Sequence, residues 1–102
     1  MSTLHTVNKS PFDRTALKTC LNHMAIGDVM LMIEDGVVGA RKGGAFAGAL
    51  QAKLGSCAIY ALAPDLAARG IKPEDLVDGV KLVDYAGFVD LAAESERVCS
   101  WL

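Results

Sequence analysis

Runs of consecutive apolar residues alternate along this chain with stretches of helical periodicity. Residues 29–33 are all apolar, and so are residues 57–62. Because neither run alternates between polar and apolar side chains, both are predicted to be strands that are covered on their two faces. Shorter β-prone stretches predict three more strands, at residues 4–7, 80–83 and 98–102.

The segments between the predicted strands carry helix signals. Ser10 is a good N-cap and Pro11 suits the first helical position, so the first helix is predicted to run to about residue 25. Its predicted inward stripe consists of Leu17, Leu21 and Met24. Further helices are predicted over residues 45–54, 64–69 and 84–94, with a single helical turn at 37–40 and a helix start at 72–75.

This alternation of strand and helix predicts a small α/β fold with right-handed crossovers. We expect three layers, with a mainly parallel sheet of about five strands between helices. The length of 102 residues corresponds to one domain that spans residues 1–102. An independent small-ligand-binding module is disfavoured, because the basic loop at 41–44 lacks the phosphate-loop pattern and does not directly follow a strand.

The composition narrows the choice of partners. Hydrophobic residues make up 52% of the chain, more than a lone domain of this size needs, which indicates that some surface is given up to partner subunits. The formal net charge is −2 and no block of like charge occurs, so direct binding of a nucleic acid is not expected.

Targeting and ligand signals are also informative. Residues 1–9 contain no apolar run preceded by basic residues, and no apolar stretch is long enough for a membrane span, so we expect neither a signal peptide nor membrane insertion. Three scattered cysteines and two histidines lack metal-ligand spacing, so no metal or cofactor is predicted. The odd number of cysteines predicts reduced thiols and a cytoplasmic location.

Cys20 is the main candidate for chemistry. It lies at the edge of the predicted apolar stripe of the first helix, where a partner's thiol can reach it. His23 follows three residues later on the same flank, where an imidazolium can lower the pKa of a thiol. The residues alone leave a second interpretation open, because a free cysteine on a helix is usually a small core residue. Cys57 and Cys99 fall in strands and are predicted to be structural, and Cys20 is therefore expected to be the most readily alkylated thiol.

Several blocks of the chain resemble the DsrH/TusB family. They span nearly the whole chain, in the family's order, and consist of residues 4–12, 27–37, 60–71, 83–91 and 100–102. The resemblance implies a flavodoxin-like, DsrE-like fold and a role as the smallest of three related subunits in a dimer of heterotrimers. The implied partners are DsrE/DsrF-like (TusD/TusC-like) subunits, a DsrC/TusE-like sulfur acceptor and a TusA-like sulfur donor.

The two branches of this family imply two functions. In the DsrH branch, the complex passes sulfur through a DsrC-type acceptor during sulfur oxidation, and the resemblance at Cys20 implies a candidate persulfide carrier there. In the TusB branch, the complex relays sulfur for 2-thiolation of the tRNA wobble uridine. The subunit that resembles this chain often lacks the cysteine there, and is then structural and non-catalytic. Cys20 favours the DsrH branch, with possible sulfurtransferase activity, and the TusB branch is the alternative.

Overall fold

In the part of the chain that the structure describes, five parallel strands form a central sheet. The computed structural model describes residues 3–10 and 15–101. Its strands are β1 (Thr3–Val7), β2 (Val29–Met32), β3 (Ala58–Leu62), β4 (Lys81–Val83) and β5 (Arg97–Trp101). The pairings between these strands are parallel, in the order β4-β3-β2-β1-β5, so the predicted α/β fold with a mainly parallel sheet is confirmed.

The two long apolar runs occupy the interior of this sheet. β2 lies between β1 and β3, and β3 lies between β2 and β4. Met30, Leu31 and Met32 are completely buried, although they point alternately to opposite faces. The prediction that both runs are interior strands is confirmed, and β2 is buried on both faces, whereas Ala58 and Tyr60 of β3 are only partly buried.

Within residues 3–10 and 15–101, four α-helices and two 3₁₀ helices connect the strands. The α-helices are α1 (Ala16–His23), α2 (Ala47–Lys53), α3 (Ala63–Ala68) and α4 (Tyr85–Glu94). The 3₁₀ helices span Glu34–Ala40 and Pro73–Asp75. These bounds agree with the predicted segments to within a few residues wherever the structure describes them. The predicted start at Pro11 lies outside the described residues.

The direction of each crossover assigns the helices to faces of the sheet. The steps from β1 to β4 all proceed in one direction, so right-handed crossovers place α1, α2 and α3 on one face. The step from β4 back to β5 runs the other way and carries α4 to the opposite face. The main core lies on the first face, where Leu17 and Leu21 of α1 pack in one cluster with Met30 and Ile59 of the sheet.

One close backbone approach decides how the chain leaves β2. Gly36 lies in the first 3₁₀ helix directly against the end of β1, where a Cβ atom would overlap the carbonyl oxygen of Val7. The neighbouring Ile33 donates its backbone N–H to the same oxygen at 2.9 Å. Only a glycine lets this turn lie so close to the strand.

Candidate functional site

Cys20 lies beneath α1 and is completely buried. The prediction that it is partly exposed at the edge of an apolar stripe is wrong. Its position on the helix is the expected one, but β5 extends the sheet beside β1 and underlies that flank of α1. The side chain therefore joins Leu17, Leu21 and Met24 in the core.

The surroundings of Cys20 oppose its ionisation. Burial raises the pKa of the thiol to about 12, and Cys99 and Asp28 act in the same direction. Lys53 opposes them with a smaller effect. At neutral pH the thiol therefore stays protonated. In this conformation, Cys20 is an inert core thiol.

The other two thiols differ in exposure. Cys57 is buried and lies 3.2 Å from the carbonyl oxygen of Ala25, to which its thiol donates. Cys99 lies on the edge strand β5 and is partly exposed. The expectation that Cys20 is the most accessible cysteine is therefore wrong, because Cys99 is the only one of the three that the structure leaves partly open.

A buried polar chain links the edge of the sheet to its centre. The Nε1–H of Trp101 donates to Nδ1 of His5 at 3.0 Å. Since Nδ1 accepts, the proton of the neutral imidazole is on Nε2, which donates to Oδ2 of Asp28 at 2.9 Å. Asp28 also accepts the backbone N–H groups of Thr3 and Ala25, at 3.1 and 3.0 Å.

These contacts make Asp28 a strong, ionised anchor. Burial by itself would raise the pKa of its carboxyl group, but the hydrogen bonds from Ala25, His5 and Thr3 outweigh it and lower the pKa below the ordinary value. Both ring nitrogens of His5 are occupied, so His5 serves to hold β1, β2 and β5 together. Sequence reasoning missed the role of Asp28. The parallel register sets Leu4 beside Val29, so Asp28 comes to lie next to Thr3 and within hydrogen-bonding distance of His5. Knowing that β1 pairs with β2 is therefore what would have revealed this contact.

His23 is exposed and turns to Trp101. Its ring centroid lies 5.4 Å from that of Trp101, and its Nδ1–H donates to the carbonyl oxygen of Thr19 at 2.9 Å. Its described contacts are with these residues and not with Cys20, and it is not among the groups that shift the pKa of Cys20. The suggested modulation of the thiol by His23 therefore has no support in the geometry.

Charged side chains at the carboxyl edge of the sheet pair with one another and with the backbone. Arg69, which follows α3, donates from Nε and Nη2 to Oδ1 of Asp35 at 3.1 and 2.8 Å. Asp65 accepts the backbone N–H of Glu34. These contacts fix the first 3₁₀ helix to α3. Because Arg69, Asp35 and Asp65 are engaged with one another or with the backbone, they are not candidates for binding a ligand.

The loop at residues 41–44 is exposed, as expected of a solvated segment. Together with Val38 it lines an open hollow of about 250 Å³. Lys42 pairs across the surface with Asp78 at 3.5 Å. Among residues 3–10 and 15–101, no cluster of three or more His, Cys, Asp or Glu side chains could hold a metal ion. No helix in the same residues is long and apolar enough to span a bilayer.

Comparison with protein families gives a match over most of the chain. Residues 9–98 match the model of the family described as "DsrH like protein". The chain belongs to the DsrH family. Membership confirms the resemblance that the sequence blocks indicated.

Curated members of this family that resemble the chain carry the name TusB. Protein TusB of Pectobacterium parmentieri is 36% identical over 98 residues, which cover 96% of this chain and 99% of the relative. Protein TusB of Escherichia coli K12 is 32% identical over 98 residues, with the same coverage. The DsrH-family chain is therefore similar to TusB proteins along nearly its full length.

Solved structures support the same fold at lower sequence identity. The YchN protein of Escherichia coli superposes with a TM-score of 0.83 and 15% identity, over 98% of this chain and 99% of YchN. MTH1491 of Methanobacterium thermoautotrophicum, a protein of unknown function, has a TM-score of 0.79 and 18% identity, over 97% of each chain. At this level of identity, the likeness concerns the fold alone.

Proposed function

We propose that this chain is the TusB-like subunit of a cytoplasmic sulfur-relay complex that serves 2-thiolation of the tRNA wobble uridine. Its similarity to TusB proteins over 96% of its length supports this branch over sulfur oxidation through a DsrC-type acceptor. The chain works beside TusC-like and TusD-like subunits, and a TusA-like donor and a TusE-like acceptor complete the relay.

Within this complex, we propose that the chain is structural and that a partner's cysteine carries the sulfur. In each transfer, a thiolate attacks the outer sulfur of a donor persulfide. A new S–S bond forms, the donor's S–S bond breaks, and the donor leaves as a thiolate. The burial of Cys20 carries this proposal, because a completely buried thiol with a pKa near 12 is neither ionised nor open to a donor.

Persulfide mapping in the assembled complex tests the proposal. The chain is co-purified with its TusC-like and TusD-like partners, incubated with a persulfurated TusA-like donor and analysed by peptide mass spectrometry. We expect one added sulfur, about 32 Da, on a partner's peptide and none on the peptide with Cys20. The competing hypothesis, with Cys20 as the persulfide carrier, predicts the added mass on Cys20.

A functional readout completes the test. Cys20→Ala in the complex should leave sulfur transfer to the TusE-like acceptor within about twofold of wild type, since a neutral thiol contributes nothing to the attack. Loss of transfer in a Cys20→Ala complex that still assembles would overturn the structural role. Transfer to a DsrC-type protein, but not to a TusE-like protein, would instead favour the sulfur-oxidation branch.

A further inference from the structure

Helix α4 is built like a buried helix but is not buried. Of its ten residues only Asp90 and Glu94 are charged, and none of the ten is fully buried. A helix that is apolar on nearly all sides is normally covered on all sides. The sheet of this chain covers only one side of α4, so the opposite side is available to another molecule.

The uncovered side of α4 carries an apolar stripe along one flank and two acidic residues along the other. Phe88, Leu91 and Ala92 are half-buried and mark the side that faces the sheet. Tyr85, Val89 and Ala93 are exposed and follow one another at intervals of four residues along the flank next to Ala92, and we call them the outer stripe of α4. Tyr85 is 60% exposed and Val89 is 67% exposed. The small Ala93 lets a partner's backbone approach closely.

The edge strand β5 adds to this surface. Val98 pairs in register with the buried Leu4 and points to the same face of the sheet, the face on which α4 lies. Its side chain is 52% exposed. Three of the five exposed large apolar side chains of the described residues therefore belong to the α4 side of the molecule.

Charge distinguishes between a second copy of the chain and a different partner. Asp90 and Glu94 form an acidic flank along the outer stripe, one turn apart, and α4 contains no basic residue. Two copies of α4 packed antiparallel about a two-fold axis would bring these acidic flanks together and repel each other. Lys81 of β4 points to the same face of the sheet but lies outside the helix. A partner with basic residues at the rim of its contact surface avoids the repulsion.

We propose that the outer stripe of α4 docks against a different polypeptide, whose contact surface is an apolar helix face flanked by lysine or arginine residues. This inference rests on the proposed function, which supplies the partners to be tested, the TusC-like and TusD-like subunits. The apolar stripe provides the buried area of the contact, and the acidic flank sets its orientation and excludes self-pairing.

Binding measurements with matched variants test this surface. The probe is the purified pair of TusC-like and TusD-like subunits, titrated with the wild-type chain or a variant by calorimetry. Val89→Asp should raise the Kd by at least about 30-fold, as for the loss of a central apolar anchor. Ile26→Asp is the matched control, because Ile26 is 84% exposed but lies far from α4 in the chain. It should leave the Kd unchanged.

Charge reversal tests the chemistry of the partner. Asp90→Lys combined with Glu94→Lys should lower the association rate constant about tenfold and reduce its dependence on salt. Glu74→Lys combined with Asp78→Lys, at two exposed sites outside α4, reverses the same amount of charge and is the matched control; it should have no effect. Circular dichroism of each variant confirms that the fold is retained, since all these positions are exposed.

Each outcome separates the docking surface from the proposed function. Wild-type binding with an unchanged Kd for Val89→Asp would overturn the role of α4 and leave the proposed function intact. A wild-type homodimer that Val89→Asp dissolves and the double reversal leaves intact would identify a second copy as the occupant and overturn the inference. If the wild-type chain does not bind the subunit pair at all, the proposed function fails, and the partner assigned to α4 fails with it.

Discussion

The thiol of Cys20 illustrates how one flank of a helix changes its environment on folding. From residue spacing, Cys20 lies at the border of the stripe formed by Leu17, Leu21 and Met24. In the folded chain that border is covered by β5, so Cys20 is completely buried and its pKa rises to about 12. The thiol predicted to be the most accessible of the three is therefore the most deeply buried.

Alkylation rates measure this ranking directly. In the folded chain at neutral pH, Cys99 should react fastest with iodoacetamide and Cys20 slowest, because reaction requires an accessible thiolate. Peptide mass spectrometry over a time course gives the three rates. After unfolding in urea, the three cysteines should react at similar rates, which serves as the control. Rapid modification of Cys20 in the native chain would contradict its burial.

Among the connecting elements, the first 3₁₀ helix depends on a single glycine. Its bounds, Glu34–Ala40, extend the single turn that was predicted for residues 37–40. The extension begins at Glu34, which has a φ of 50°, and continues through Gly36 against the end of β1. Arg69 and Asp35 then join this helix to α3. The element is thus held by contacts distant in sequence, which local propensity does not reveal.

Two glycine substitutions separate packing from backbone entropy. Gly36→Ala should lower the free energy of unfolding by about 2 kcal/mol or more, because its Cβ collides with the backbone of Val7. Gly48→Ala, in α2, meets no atom within 4 Å and should raise stability by about 0.5–1 kcal/mol. Urea unfolding followed by circular dichroism gives both values. Equal effects at the two sites would contradict the close approach of Gly36 to β1.

At the scale of the whole molecule, a series of hydrogen bonds runs from Trp101 through His5 to Asp28. These hydrogen bonds join the edge strand β5 to the central strands. Asp28 also accepts the backbone N–H of Ala25, just beyond α1. Because these hydrogen bonds stabilise the ionised carboxylate, the pKa of Asp28 is lower in the folded chain than in the unfolded chain. The stability of the molecule then depends on pH.

Acid titration of stability tests this coupling. A lowered pKa in the folded state means that the contribution of Asp28 is complete above about pH 4 and is lost as the pH falls through the folded-state pKa. Asp28→Asn should lower the free energy of unfolding by about 2–3 kcal/mol at pH 7, since charge-assisted hydrogen bonds are lost. The difference from wild type should shrink as the pH falls below 4. Asp78→Asn, at an exposed surface pair, is the control and should change little. A constant difference across this pH range would contradict the linkage.

The sequence by itself determined the strand and helix order, the parallel sheet and the membership of the DsrH family. Unbroken apolar runs such as residues 29–33 report burial on both faces, and this local property survives folding. Only the tertiary structure decided the environment of Cys20, the pairing of Asp28 with His5 and the bare outer stripe of α4. Each of these depends on which strand lies beside which, and the return of the chain from β4 to β5 sets that order. This return places α4 alone over the second face of the sheet and β5 beneath the flank of α1. No local pattern of residues encodes the position at which the chain re-enters the sheet.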